Sequence, residues 1–318
     1  MKTNTFEVSS KNLLVPKVKG IIKNNFELSR LSWLKVGGPA QVFFQPENVD
    51  NLSLFLKNLE SNVPIFVVGA CSNLIIRDGG IPGVVIKLGR NFSEVHYSEQ
   101  YISVGAACRD SYLAQKCAED GFDFSFLRTI PGNIGGAVKM NAGCYGSYIS
   151  DYIIGLTLVM RDGSVRNMKV NDLNFGYRDS SIPDESIITK VLLRKEENDP
   201  CIIKNKMGEA IAMRDNTQPV KDLSCGSTFR NPLGRSSLGN NSDMDHSFKA
   251  WKLIDDAGLR GHKLGGAMVS KKHANFLINT GDATAKDLES LGNLVIEKVK
   301  KNSGIELVWE VKRVGVYS

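Results

Sequence analysis

Apolar and polar positions change period several times along the chain, and each change marks an element. After a mixed lead, AQVFFQP (40–46) is an apolar run of strand length, VDNLSLFLKNLES (49–61) spaces its apolar residues at helical intervals, and PIFVVG (64–69) returns to a strand, a βαβ-like start. NLIIRDGGIPGVVIKL (73–88) gives two short apolar runs divided by Gly79, Gly80, Pro82 and Gly83, a turn cluster that breaks any helix. YISVGAA (101–107) predicts a strand and DSYLAQKCAEDG (110–121) a helix, with Asp110 able to cap its amides and Gly121 to end it. Strand patterns recur around 153–160, 165–170 and 187–194. KNKMGEAIAMRDN (204–216) and KAWKLIDDAGLRG (249–261) predict helices, the second ending near Gly258. TAKDLESLGNLVIEKVKKNSG (284–304) carries Thr284 and Asp287 in capping-box spacing and closes at Gly304, and the alternating IELVWEVKRVG after it predicts a last strand. Strands come in groups rather than in strict alternation with helices, so the expected class is α+β.

Composition narrows this further. At 318 residues and 42% apolar content the chain has material for two or three domains. No run approaches the roughly 20 apolar residues of a membrane span, and the first residues lack a signal-peptide core, so the expected location is the cytoplasm. Cys71, Cys108, Cys117, Cys144, Cys201 and Cys225 include no C-x-x-C pair and predict free thiols rather than a zinc site. A net charge of +6, spread along the chain, permits a polyanion but suits an anionic small molecule equally.

The familiar nucleotide fingerprints G-x-G-x-x-G and G-x-x-x-x-G-K-[ST] are absent, and the four histidines form no metal-ligand spacing. Two glycine-rich loops remain. VVGACSNLIIRDGG places Gly69, Ala70, Cys71 and Ser72 directly after a strand, where bare amides can converge on an anion or simply make a tight turn. IPGNIGGAVKMNAGCYG (130–146) holds five glycines, suits neither helix nor strand, and implies backbone packed on something flat or phosphorylated, or else a buried crossover. Together the loops suggest a dinucleotide held outside the Rossmann scheme. Arg178, in FGYRDSSIP, suits a bidentate carboxylate clamp or an ion pair with a nearby acid. Ser227, in SCGSTFRNP, lacks the hydrolase elbow and a local base; it either satisfies a turn or serves a substrate that Arg230 and Asn231 could hold. Glu310 stands in the terminal alternation, otherwise flanked by apolar and basic residues, as a solvent-facing residue or a functional acid.

In order, VVGACSNLIIRDGG, LRTIPGNIGGAVKMNAGCYG, FGYRDS, SCGSTFRNP, AWKLIDDAGLRGHKLGGAMVSKKHANFLIN and WEVKRVG resemble the UDP-N-acetylenolpyruvoylglucosamine reductase family. The first two also resemble the wider group of FAD domains typified by p-cresol methylhydroxylase and vanillyl-alcohol oxidase. The resemblance implies an NADPH-dependent FAD enzyme that reduces UDP-N-acetylglucosamine enolpyruvate to UDP-N-acetylmuramate for peptidoglycan synthesis. It implies a monomer without nucleic-acid or membrane partners, and the shorter form of the family, lacking a substrate-covering tyrosine loop. Its fold is a two-part FAD-binding domain, 1–85 with the terminal strand 305–318 and then 86–203, followed by an α+β substrate domain at 204–304.

By the same resemblance, Arg178 and Glu310 are aimed at the substrate carboxylate, with burial favouring a protonated glutamate, and Ser227 is the proton donor. FAD contacts carry over to Gly69, Ala70, Cys71, Ser72 and Asn73, to Pro131, Gly132, Gly135, Gly136, Ala137, Asn141 and Gly143, and to Arg214; substrate contacts carry over to Tyr177, Arg230, Asn231 and His273. Three departures stand out. Cys71 puts an oxidation-sensitive thiol in the first loop, Trp33 and Leu34 stand where a threonine-bearing segment is usual, and 233–248 forms a polar extension expected to be a mobile loop beside the substrate channel. The rival readings are another FAD oxidoreductase on the same cofactor fold and a flavin-binding sensor without turnover.

Overall fold

A computed structural model describes residues 13–233 and 246–318; most of the polar extension, 234–245, lies outside them. The first sheet orders its strands Gly20–Glu27, Pro39–Pro46, Ile81–Lys87 and Ile65–Val68. Its outer pair is antiparallel and the other two contacts are parallel, with α1 (Val49–Asn58) as the crossover that parallel pairing requires. Asn48 starts α1 by accepting the Asn51 N–H at 2.9 Å, and Phe55 stacks on Phe44 of the sheet with ring centroids 4.0 Å apart.

The second sheet is antiparallel throughout, in the order Val165–Lys169, Ile153–Val159, Ile187–Arg194, Tyr101–Gly105 and Val95–Tyr97. Its core takes in Leu113, Ala114 and Cys117 of α2 (Asp110–Glu119) and Ile134 and Val138 of α3 (Ile134–Lys139). Two local expectations change here. The glycine-rich stretch 130–146 does contain a helix, α3, whose Gly135 lies so close to the preceding strand that a Cβ would come within 3.0 Å of the Ala106 Cβ. Asp110 is the first helical residue of α2 rather than its cap; Arg109 holds the cap position and no side chain caps the helix.

α4 (Pro200–Thr217) begins four residues before the predicted 204, because Asp199 accepts the Cys201 N–H at 2.7 Å and Pro200 supplies a preset φ at the first position. It buries Ile203 and Met207 in the core of the second sheet. The third sheet, antiparallel, runs Leu223–Ser224, Leu277–Asn279, Ala267–Val269 and Lys263–Leu264, with α5 (Ala250–Asp256) and α6 (Ala285–Ser303) supplying its core. α6 starts and stops as its sequence predicts: Thr284 and Asp287 form the capping box and Gly304 closes the helix at φ 75°.

The terminal strand is much shorter than its alternation predicts. Only Lys312–Val314 form a strand, parallel to Leu74–Ile76. The residues before it pair elsewhere: Trp309 bridges Phe229, and the Glu310 N–H donates to the Thr228 carbonyl at 2.8 Å. One extended segment therefore serves two neighbours in turn. Leu34 and Val36, from the connection between the first sheet's outer strands, and Ile75 and Val311, at the Leu74–Ile76 and Lys312–Val314 pair, are buried with residues of α5 and α6 in one apolar cluster, so the third sheet's unit docks on these segments beside the first sheet. Among the described residues no helix is long and apolar enough to cross a membrane. The six cysteines are free thiols.

Candidate active site

The two glycine-rich loops interlock. Ser72 donates its hydroxyl to the Pro131 carbonyl, Asn133 donates to the Ala107 carbonyl at 2.7 Å, and Arg109 and Asn133 form a bridge. A Cβ on Gly69 would lie 3.1 Å from Asn133 Oδ1, and one on Gly132 would lie 2.7 Å from Asp110 Oδ2. Small residues are thus needed where the loops touch each other and α2. Gly136 differs: it is exposed, and a Cβ there would meet nothing within 4 Å. The protein itself makes no demand for glycine at that point, as expected where a flat ligand approaches bare backbone.

Left-handed backbone at non-glycine residues is costly and tends to gather at functional sites. Among the described residues it occurs at Cys71, Asn141, Tyr145 and Arg178 of this region, and elsewhere only at Asn25 and Lys35. Asn141 ties the second loop to the Phe175–Ser180 hairpin by donating to the Gly176 carbonyl at 2.9 Å, and Gly143 offers its carbonyl to Arg178 Nη2 at 3.1 Å. Ala137 is buried in α3, and the Asn73 carbonyl accepts the Lys312 N–H at 3.1 Å, so the first loop is fixed to the terminal segment. Ala70 sits between Gly69 and Cys71 at the loop's head. The thiol expected to be oxidation-sensitive is not so placed. Cys71 is buried, and burial, opposed by Lys87, pushes it up to about 11, which keeps it a protonated and unreactive thiol at neutral pH.

Arg178, Glu310 and Ser227 converge from three parts of the chain. Arg178 Nε donates to Glu310 Oε1 at 2.8 Å, both side chains being largely buried. Desolvation works against the charge on Arg178, but the facing carboxylate outweighs it and raises its pKa. The resemblance expected burial to favour a protonated Glu310; the structure sets the Arg178 guanidinium against its carboxyl group. Ser227 directly precedes Thr228, whose carbonyl accepts the Glu310 N–H, so serine and glutamate lie on adjacent extended segments.

Around them, Tyr177 lies with its ring 5.0 Å from the Arg178 guanidinium, and burial followed by the Glu310 charge pushes its hydroxyl up to about 12. Arg230 donates to the Tyr177 and Arg178 carbonyls at 3.5 and 3.3 Å. Asn231 accepts the Ala250 N–H at 3.1 Å and so starts α5. Arg214, on α4, reaches the Thr129 carbonyl, and desolvation lowers its pKa; its Nε, like that of Arg230, is buried without a partner among the described residues. His273 lies 4.8 Å from Phe276 and 6.5 Å from Trp251, ring to ring; burial and then the Arg260 charge bring it down to about 4, so it is neutral at physiological pH. Leu34 is fully buried and offers its carbonyl to Asn279, while Trp33 is half-exposed.

Two residues at the site were not among the candidates the sequence offered for it. Asp110 is fully buried beside Gly132, with neither carboxyl oxygen partnered among the described residues. Asn275 is buried against the serine segment; its only signal was an amide inside the apolar run HANFLIN. The interlocked loops, the open face at Gly136 and the cationic Arg214 fit a dinucleotide cofactor carrying a pyrophosphate.

Comparison with known proteins agrees with this geometry. Residues 40–169 match the FAD binding domain family, and residues 218–314 match the C-terminal domain of UDP-N-acetylenolpyruvoylglucosamine reductase. The chain is 51% identical over 301 residues to the UDP-N-acetylenolpyruvoylglucosamine reductase of Paracoccus denitrificans, covering 95% of this chain and 98% of that protein. It is 50% identical to the Jannaschia enzyme of the same name, covering 95% and 97%. The crystal structure of UDP-N-acetylenolpyruvylglucosamine reductase from Thermus caldophilus superposes with a TM-score of 0.76 at 32% identity, covering 93% of this chain and 99% of that one.

Proposed function

The chain belongs to the UDP-N-acetylenolpyruvoylglucosamine reductase family, an FAD-binding oxidoreductase of peptidoglycan precursor synthesis that uses NADPH, and from that premise we propose that Arg178, Glu310 and Ser227 are its catalytic residues. The substrate is UDP-N-acetylglucosamine enolpyruvate and the product UDP-N-acetylmuramate. The chemistry that FAD supplies when bound is two-electron transfer, hydride taken from NADPH and passed to the enolpyruvyl double bond.

The chain's own residues supply the rest. Adding hydride at the terminal carbon of a double bond conjugated to a carboxylate builds negative charge on the carboxylate oxygens, and a guanidinium fixed beside them lowers the barrier. Arg178 is that cation; Glu310 and the Gly143 carbonyl hold it in one orientation. The carbon bearing the ether oxygen then takes a proton, which the Ser227 hydroxyl gives up and later regains. A serine is a weak acid, so this works only with the hydroxyl held in place and its conjugate base stabilised by neighbouring donors. The observation that carries the reading is the joint pairing of Arg178 with Glu310 and of Glu310 with Thr228, which brings three distant segments to one point.

Within the same reading, the two loops, residues Gly69–Asn73 and Pro131–Gly143, hold FAD with Arg214 opposite its pyrophosphate. Tyr177, Arg230, Asn231 and His273 line the path of the nucleotide sugar. The domains run 1–85 with 305–318, 86–203 and 204–304, with α4 a connector that packs back on the second sheet. The enzyme works as a cytoplasmic monomer.

Anaerobic flavin absorbance tests the serine. In Ser227→Ala, bleaching by NADPH should proceed at the native rate, while recovery on adding substrate slows by about 100-fold or more, the usual worth of a positioned proton donor. Equal slowing of both half-reactions would overturn the assignment. A flavin that stays reduced until oxygen enters, in the unaltered enzyme, would favour the rival reading of another FAD oxidoreductase on the same cofactor fold.

A further inference from the structure

We propose that Asn275 is a positioning residue for Ser227: its side-chain amide stands in for a missing strand and fixes the backbone that carries the serine. This rests on the reading of Ser227 as proton donor. The serine segment begins as a strand, Leu223–Ser224, paired with Leu277–Asn279, and then leaves the ladder at Gly226, which adopts φ 85°. A turn of that kind leaves the hydroxyl poorly anchored from its N-terminal side. The residues that follow are tied down by a dense set of hydrogen bonds.

Both backbone groups of Thr228 and of Phe229, and the Arg230 N–H, are hydrogen-bonded. Asn275 accepts the Thr228 N–H on its own carbonyl at 2.7 Å, accepts the Phe229 N–H on Oδ1 at 2.9 Å, and donates Nδ2 to the Phe229 carbonyl at 2.8 Å. The paired side-chain bonds reproduce the exchange between two facing strand residues, and they set the amide orientation uniquely. Thr228 adds its hydroxyl as acceptor for the Leu277 N–H at 3.1 Å. On the opposite side the Glu310 N–H takes the Thr228 carbonyl at 2.8 Å, and the Arg230 N–H takes that of Val308, also at 2.8 Å. Asn275 is 4% exposed, and its own N–H donates to His273 Nδ1 at 3.3 Å, which also fixes the tautomer of that neutral imidazole.

Proton transfer to carbon is sensitive to small displacements of the donor, so loosening this clamp should slow the protonation step alone. Asn275→Ala tests it, beside Asn279→Ala as the comparison: Asn279 is equally buried in the same sheet, but its side chain holds Leu34, Gly281 and Ala283. Both holoenzymes are followed anaerobically through the two half-reactions in H2O and D2O. Asn275→Ala should keep the native rate of flavin reduction by NADPH, reoxidise with substrate about 100-fold more slowly, and show an enlarged solvent isotope effect on reoxidation. Asn279→Ala should keep the native rate of both half-reactions and the native isotope effect.

Asn275→Asp keeps the acceptor for Phe229 N–H and loses the donor, and should fall between native and Asn275→Ala. Should Asn275→Ala not fold, Asn275→Ser carries the same test. Equal slowing of both half-reactions, or the same slowing in Asn279→Ala, would reduce Asn275 to a general structural role and overturn the proposal. Fast reoxidation in Asn275→Ala with slow reoxidation in Ser227→Ala would overturn it while leaving the serine's role intact; fast reoxidation in Ser227→Ala would remove the role itself.

Discussion

Asp110 shows how far a single position can depart from its local reading. An aspartate opening a helix is ordinarily a cap, and that is what its place before SYLAQKC predicts. Instead the carboxyl turns into the space that Gly132 leaves open, and burial without any donor pushes its pKa well above the usual carboxylate range. The folded chain then holds a proton that the unfolded chain has released, so the stabilising contribution is complete below about pH 4 and is lost as pH rises through the raised folded value. Asp110→Asn, neutral at every pH, should melt close to the native protein at about pH 4 and increasingly above it towards pH 8. A difference in Tm that does not change with pH would show that Asp110 does not titrate in this way. Cys108 is the titratable neighbour coupled to it, and its thiol is itself pushed up to about 12, by burial first and then by Asp110, so it stays neutral over this range.

α3 was hidden by its own composition. Gly135 and Gly136 together weaken a helix by about 2 kcal/mol relative to alanine, and six residues are too few to form one in isolation. It forms because tertiary contacts hold it: the Ile134 and Gly135 amides donate to the Cys108 and Ala106 carbonyls, both at 2.9 Å, and Ile134 and Val138 are buried. The two glycines have different causes. Gly135 yields to Ala106, whereas Gly136 faces open space, where we place the flavin. Gly136→Ala should therefore leave the apoprotein as stable or up to about 1 kcal/mol more stable, yet weaken FAD retention measured by equilibrium dialysis. Unchanged FAD affinity would remove Gly136 from the cofactor site. The terminal segment is the counterpart in strand form: its alternation was legible, but its division between Thr228 and the Leu74–Ile76 strand was not, because a period of two says which face is buried and not against what.

Across the whole molecule, α6 is locked to the turn that leads into the Ile81–Lys87 strand by two adjacent residues. Asp78 accepts the Ala285 and Lys286 amides at 2.9 and 3.1 Å, capping α6 from outside its own unit, and Arg77 pairs with Glu289 through two bonds of 2.8 and 3.3 Å. Tyr317 closes the cluster, donating its hydroxyl to Glu289 at 3.0 Å with its ring under Arg77. Arg77→Ala leaves the buried Glu289 carboxylate with Tyr317 and an Arg313 guanidinium 4.0 Å away. It should lower stability by about 2 kcal/mol, less than for a fully buried pair because Arg77 keeps some solvent contact. Thermal unfolding should remain a single transition; separate melting of the third sheet would contradict rigid docking. By itself the sequence determined the α+β class, most element positions, the caps of α6, and, through six ordered segments, the family and its FAD chemistry. Those features depend on near neighbours in the chain, where helical and strand periods, glycine and capping residues act within a few positions. Only the tertiary structure decided that Glu310 meets Arg178 across 132 residues, that Asn275 completes the serine's ladder across 46, and that Asp110 is a buried acid rather than a cap. Each of these follows from which distant groups share one desolvated space, and no local pattern encodes that.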